Sequence, residues 1–316
     1  MFGRRPDGKR VRELPGFYTI IPIIMRDRND SMTQITLRIE LDTINKFIDE
    51  QKEKTGRVYS YIEIIAAGMI RVICLRPDLN RFVSNYRIYQ RDGIYMSLAI
   101  QKSLKNSNES NETTIKMRFT GEESLPEICD KIEAEIKKVK HVDAESKTDK
   151  LANLLTSVPT FIMVPLVKFV MWMDKVGGLP ISVLDASPFH TSFFITDMKS
   201  IKLPTLHHHV YNFGTTGLFM STGIEEKEVY LDKDSIAKER PIMHMGFVSD
   251  ERFCDGYYFA RSFRLFQRIM ANPDYLLTRL EEEDVPLNET QKKMKAKAVK
   301  KENKKAKKEA KKTTKK

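Results

Sequence analysis

Ser249-Asp250-Glu251-Arg252-Phe253-Cys254-Asp255-Gly256 joins an apolar run, Pro241 to Val248, to a segment in which Phe259, Phe263, Phe266 and Met270 recur at helical spacing. The run before it is nearly all apolar, as a central strand buried on both faces would be. The segment after it carries one apolar stripe, the mark of an amphipathic helix packed on a core. Asn272-Pro273 then breaks that helix. Acids and an arginine directly after a buried strand are costly unless they are paired or functional, and Gly256 admits backbone angles closed to other residues. This charged turn is the best candidate active site in the chain; the bland alternative is a solvated strand-to-helix loop.

Outward from the turn, strands and helices mix without regular alternation. Ile35-Thr-Leu37-Arg-Ile39-Glu-Leu41 alternates as a strand with one buried face. Asp42 and Thr43 then cap a helix carrying Ile44, Phe47 and Ile48. Tyr61 to Leu75 is a more apolar helix stopped by Pro77. After the Asp92-Gly93 turn, Ile94, Met96, Leu98 and Ile100 alternate again. Lys105 to Thr114 is a polar loop, and Pro126 to Lys140 a charged helix with Ile128, Ile132 and Ile136 on one face. Thr191 to Ile195, Gly217 to Met220 and Glu228 to Leu231 are β-prone, and Tyr275 to Glu282 is a short closing helix. No internal repeat and no glycine-rich phosphate loop is present. The expected class is α+β with a large mixed sheet rather than a doubly wound fold.

Charge divides the chain sharply. Of 316 residues with a formal net charge of +11, the segment from Gln291 onward holds 14 Lys and 2 Glu, so the rest is close to neutral. A near-neutral body excludes a basic DNA-binding fold as the default. The tail has little to bury and is expected to be disordered or helical, touching polyanions without specificity or simply solubilising the chain. Three scattered cysteines, Cys74, Cys129 and Cys254, make neither a disulfide framework nor a zinc site and fit a reducing compartment. The basic N-terminus is not a secretory signal, and a cytoplasmic location is expected. Val158 to Met173 contains Pro159, Pro165 and Lys168 and falls short of the roughly 20 apolar residues of a spanning helix. It reads as a buried or subunit-contact helix.

Asp250-Glu-Arg-Phe-Cys-Asp-Gly256, the aromatic helix and Asn272-Pro273 together resemble the end of the catalytic domain of dihydrolipoyl acyltransferases. These are the core subunits of 2-oxo acid dehydrogenase complexes, related in fold to chloramphenicol acetyltransferase, and their pattern is D-H-R-x-x-D-G. Other stretches agree in order: Ile39-Glu-Leu-Asp-Thr43, Arg76-Pro-Asp-Leu-Asn80, Arg87 to Gln101, and Ser187-Pro-Phe-His-Thr-Ser-Phe-Phe-Ile-Thr196-Asp. The resemblance runs from about residue 17 to 280. It implies a chloramphenicol acetyltransferase-like mixed sheet flanked by helices, with an N-terminal extension over 1–16, the acyltransferase-like domain over 17–285 and the Lys-rich tail over 286–316. It further implies a homotrimer with its sites between subunits, a coenzyme A thioester as co-substrate and a thiol or hydroxyl acceptor. No lipoyl domain is expected in this chain.

Carried over residue by residue, the family's basic histidine falls on Glu251. Its oxyanion-stabilising hydroxyl falls on Thr196, aligning Ile195-Thr196-Asp197 with the family's Ile-Ser-Asn, and its organising aspartate on Asp255, with Arg26 or Arg28 as the ion-pair partner. Glutamate for histidine is the main departure. An unperturbed carboxylate is about 2 pKa units a poorer base, a handicap of at most about 3 kcal/mol, and burial between subunits would recover much of it. The competing reading is a non-catalytic trimeric scaffold of the same fold that binds an acyl-thioester. Among the histidines, His190 is the better substitute base, because His244 lies an odd number of residues before Glu251 and faces the other way. His207-His208-His209 is not spaced like a metal site. Cys254, beside Asp255 and Glu251, is expected to stay an inert thiol.

Overall fold

The protein is described from a computed structural model over residues 5–101, 112–140, 153, 157–281, 284, 286–287, 289–297 and 299–300. In chain order the elements are β1 (Gly8–Arg10), α1 (Gly16–Ile24), β2 (Met32–Glu40), α2 (Asp42–Thr55), α3 (Tyr61–Leu75), β3 (Arg81–Ser84), β4 (Arg87–Arg91), β5 (Ile94–Gln101) and β6 (Glu112–Phe119). They continue with α4 (Leu125–Lys140), α5 (Thr160–Val176), α6 (Ile181–Ala186), β7 (Phe193–Asp197), β8 (Leu218–Leu231), β9 (Ala237–Asp250) and α7 (Gly256–Met270).

Six strands form one mixed sheet in the order β2-β9-β8-β7-β5-β6, and β1-β4-β3 form a smaller antiparallel one. The pairs β5–β7 and β7–β8 are parallel. Alternation fixes which side chains face the helices. Leu37, Ile39, Met96, Leu98, Phe193, Ile195, Met220, Met245 and Phe247 join α2, α3, α4 and α7 in one core. Phe247 meets Phe263 and Phe266 at ring distances of 4.9 and 5.7 Å. Helix α3 is started by a reciprocal cap, Ser60 with Glu63.

The opposite face of the sheet carries a separate small cluster, Phe194, Phe219, Val248 and Val210. Residues 203–212 run across this face. Gly246 permits their approach, since a Cβ there would lie 2.4 Å from the Leu206 carbonyl oxygen.

Several expectations are corrected. The two strands expected at Gly217–Met220 and Glu228–Leu231 are one strand, β8, because β9 pairs with it along its length across an irregularity between Thr222 and Glu225. The expected helix at Tyr275–Glu282 is a short 3-10 turn, Pro273–Leu276. Beyond it the chain is held by the Leu280 N–H donating to the Glu122 carbonyl, 2.9 Å away, instead of by its own turns. Asp42 opens α2 rather than capping it, Leu41 holding the cap position. Glu112, Thr113 and Thr114 belong to β6, and the rest of the expected polar loop lies outside the described residues.

Residues 5–12, read as part of an extension, are tied into the body. Strand β1 pairs with β4, and Arg5 donates to Ser84 Oγ at 2.9 Å. At the other end, residues 289–297 are helical and Lys293 reaches Glu13 at 2.8 Å. The tail beyond residue 300 lies outside the described residues.

Helix α5 departs most from a buried reading: Phe161 is 78 % exposed, and Phe169, Met171 and Trp172 are also exposed in the single chain. Helix α1 likewise exposes Phe17, Ile20, Ile23 and Ile24. Among the described residues no helix is long and apolar enough to cross a membrane.

Phe266, fully buried between sheet and helices, gives a direct check of this core. Phe266→Ala is expected to cost about 3–5 kcal/mol of unfolding free energy, measured by chemical denaturation.

Candidate active site

The charged turn is built around Asp250, the last residue of β9 and only 1 % exposed. Its carboxylate accepts three bonds from Arg252, at 2.8 Å from Nε, 2.7 Å from Nη2 and 3.1 Å from the backbone N–H. Arg28 Nε stands 3.4 Å away on the other side. Arg252 also donates through Nη1 to the carbonyls of Met25 and Arg26. Arg28 donates to the carbonyls of Tyr211 and Val83. Asp250 therefore ties together the end of β9, the segment after α1, the β3–β4 hairpin and the strap over the open sheet face. Burial, above all, pulls the Arg28 guanidinium below its usual range, against the pull of Asp250.

Glu251 follows on the turn, half-buried, with its N–H donating to the Ser31 carbonyl at 3.0 Å. Its carboxylate makes no hydrogen bond or ion pair among the described residues. Asp255 caps α7: Oδ1 accepts the Tyr258 N–H at 2.7 Å and Oδ2 accepts the Tyr18 hydroxyl at 2.9 Å. Burial, together with that bond to Asp255, pushes the Tyr18 phenol up to about 12. The expected ion pair between Asp255 and Arg26 or Arg28 is not formed. Arg28 turns to Asp250 instead, because a wholly buried carboxylate needs the charge more than an exposed helix cap already served by a backbone N–H.

Thr196 lies on β7, 4 % exposed, and its hydroxyl has no hydrogen-bond partner among the described residues. Strand register fixes its distance from Glu251. Thr196 pairs with Ser221 and Ser221 with Gly246, five residues before Glu251. That places the two residues about 19 Å apart, from strand rise and two strand spacings. One chain does not bring Glu251 and Thr196 to a common substrate.

His190 is buried, with Nδ1 2.8 Å from Ser187 Oγ and Nε2 3.0 Å from Asp174 Oδ1. Arg5 holds the same Asp174 oxygen at 2.9 Å. Burial lowers the His190 pKa despite Asp174. Against the upward push of burial, His190 and Arg5 keep Asp174 well below the usual carboxylate range. A serine, a histidine and an aspartate in line have the composition of a hydrolytic triad, but Ser187 and His190 are both buried, each 1 % exposed. His244 sits 3.4 Å from Glu226, on the β8–β9 arm. The three adjacent histidines diverge: His207 reaches Thr36 at 3.1 Å, His208 stacks on Phe219, and His209 meets Tyr211 edge-on. Among the described residues no group of three His, Cys, Asp or Glu is arranged to hold a metal ion. Cys254 is buried, and burial, with Asp78 behind it, pushes its thiol far up.

A cavity of about 310 Å³ lies beside the motif, lined by Arg26, Arg28, Arg252, Trp172, Lys175 and the Asn85-Tyr86 turn among others. Asn85 and Tyr86 both take positive φ, 47° and 58°. They are the two-residue loop of the β3–β4 hairpin, closed by the pairing of Ser84 with Arg87, and Asn85 is its local signal because asparagine tolerates left-handed backbone. Trp172 and Lys175 were invisible as cavity residues, because α5 reads as a contact helix.

Compared with solved structures, the chain is similar to the cubic core of a pyruvate dehydrogenase multienzyme complex at 12 % identity and a TM-score of 0.53, covering 84 % of this chain and 94 % of that one. The dihydrolipoamide acetyltransferase of Azotobacter vinelandii gives the same identity, score and coverage. A truncated catalytic core of the 2-oxoacid dehydrogenase complex from Thermoplasma acidophilum matches at 12 % identity and a TM-score of 0.50, over 84 % and 100 % of the two chains. No family model and no curated protein matches the sequence. The chain thus has the fold of dihydrolipoamide acyltransferase catalytic cores, a mixed sheet flanked by helices.

Three outcomes follow from these geometries. Asp250→Asn, which strips a buried charge from two arginines, is expected to cost about 3–5 kcal/mol in denaturant unfolding. Asp255→Ala removes a helix cap and the exposed bond to Tyr18 and should cost about 0.5–2 kcal/mol. His190 takes its proton later in the folded than in the unfolded chain, whose value is near 6.5. As pH falls through that value the unfolded chain gains the proton first, so stability should drop. His190→Asn should flatten that part of the stability–pH curve.

Proposed function

We propose that the protein is an acyltransferase that moves an acyl group between a CoA-type thioester and a thiol or hydroxyl acceptor. The observation that carries this reading is the pair Glu251 and Asp255, one carboxylate on the β9–α7 turn and the next capping α7, within a fold whose solved examples are acetyltransferase cores. In the Azotobacter vinelandii acetyltransferase a serine, a histidine and an asparagine have roles in the catalytic mechanism. In the reaction proposed for this chain, Glu251 takes the proton of the acceptor, which attacks the thioester carbonyl. The Thr196 hydroxyl donates to the tetrahedral oxyanion. The intermediate collapses by breaking the carbon–sulfur bond, and the departing thiolate receives the proton from Glu251. Asp255 positions Glu251 by fixing the start of α7. Arg26 and Lys175, at the cavity beside the turn, offer positive charge to the phosphates of a CoA-type donor.

The active form in this reading is a homotrimer. The separation of Glu251 from Thr196 within one chain requires a second copy to complete the site. The apolar faces of α1 and α5 supply surface for that contact, being larger than scattered single hydrophobics. A second reading, a non-catalytic trimeric protein that binds a thioester, is favoured by one observation: the Thr196 hydroxyl is almost wholly covered.

Acetyl-CoA thioester cleavage with a small thiol acceptor separates the readings. Turnover by wild type that falls about 10²–10⁴-fold in Glu251→Gln is the expected result. Equal background rates in both proteins would sink the catalytic reading, and CoA binding without turnover would leave the scaffold. Sedimentation should find a trimer that Phe161→Asp with Trp172→Asp dissociates.

A further inference from the structure

A second, smaller cavity, about 100 Å³, lies on the sheet face away from the main core. Its basic walls are Arg91 at the end of β4 and Lys116 and Arg118 on β6, with Tyr95 and His190 beside them. Arg91 is 2 % exposed. Its Nη2 donates to the Thr215 carbonyl at 2.6 Å and the Thr215 hydroxyl at 3.0 Å. Its Nε and Nη1, carrying three more N–H groups, find no acceptor among the described residues. Buried donors of a charged group left in this state are expensive. Lys116 Nζ donates to the Leu184 and Ser187 carbonyls at 2.7 and 3.2 Å and stands 5.0 Å from the centre of the Tyr95 ring.

None of the acids around this space bonds directly to Arg91 or Lys116. Asp7 accepts from Nε and Nη2 of Arg5 and acts on Arg91 only through space. Asp92 is exposed and stands 3.7 Å from Arg118. Asp185 is exposed at the rim. His190 is engaged on both sides by Ser187 and Asp174. Burial lowers Arg91 to about 10 and Lys116 to about 7, with Arg91 adding to the effect on Lys116. In each the cost of burial outweighs the pull of nearby acids, Asp7 on Arg91 and Asp185 and Asp7 on Lys116. The space is smaller than the roughly 150 Å³ cavity that admits benzene. It suits a small ion and excludes a nucleotide.

We propose that this cavity binds a free tetrahedral oxyanion of the phosphate class, held by Arg91 and Lys116, at a site separate from Glu251 and Thr196. An anion there would supply acceptors for the unused N–H groups and restore the charge of the lysine.

Calorimetric titration of the full chain with inorganic phosphate at pH 8, in two buffers of different ionisation enthalpy, tests this. The expected result is one saturable site with net proton uptake, since Lys116 gains its proton on binding while Arg91 is already charged and Asp7 already ionised; Arg118, Asp92 and Asp185 are the other charged groups that face the space. His190 stays neutral and Tyr95 protonated. Arg91→Met and Lys116→Met should each weaken binding by about tenfold or more. Should Arg91→Met fail to fold, Lys116→Met and the wild-type proton count still decide. Absence of saturable binding at millimolar phosphate, or binding unchanged in Lys116→Met, overturns the proposal. Equal binding of glycerol 3-phosphate overturns the assignment to a free ion. Glu251→Gln should leave phosphate binding as it was, so that failure of the acyltransferase reading does not touch this result.

Discussion

A single buried carboxylate, Asp250, holds the candidate site in shape. It lies at the inner end of β9 between Arg252 and Arg28. Burying three charged groups is costly, and the cost is offset only because each arginine also donates to backbone carbonyls of other segments. The result is a fixed stem from which Glu251 projects. Remove the carboxylate, and two buried guanidinium groups lose their anion together, while the turn, the segment after α1 and the strap over the sheet lose their common anchor.

Much of this was legible in the sequence where local pattern and tertiary role coincide. The alternation of Ile35 to Leu41 became β2, and the spacing of Phe259, Phe263, Phe266 and Met270 became the buried face of α7. Tyr61 to Leu75 is α3 to the residue. The charged turn stood out because acids after a buried strand need a reason. What could not be read was which acid takes which partner. Asp250 and Asp255 are equivalent in composition, and only the depth of each decides that the arginines go to the first and a helix N-terminus to the second. The single β8 strand was hidden for a related reason: the irregularity inside its long pairing is set by the partner strand β9.

The two apolar helices sharpen the picture of assembly. Phe17, Ile24, Phe161 and Trp172, exposed in the single chain, are surface that the proposed assembly would cover. The register of β7, β8 and β9 points the same way, since it keeps Thr196 and Glu251 at opposite ends of the sheet. The formal charge of +11 says nothing about this surface, being carried by the segment from Gln291 onward.

The claim that the site is shared between copies is tested most directly by complementation. Glu251→Gln and Thr196→Val chains, each inactive alone, are co-refolded and assayed for thioester cleavage. A site built from Glu251 of one copy and Thr196 of another regenerates intact in about a quarter of randomly formed contacts, so about a quarter of wild-type activity should return. No recovery, with wild type active under the same conditions, would contradict the account.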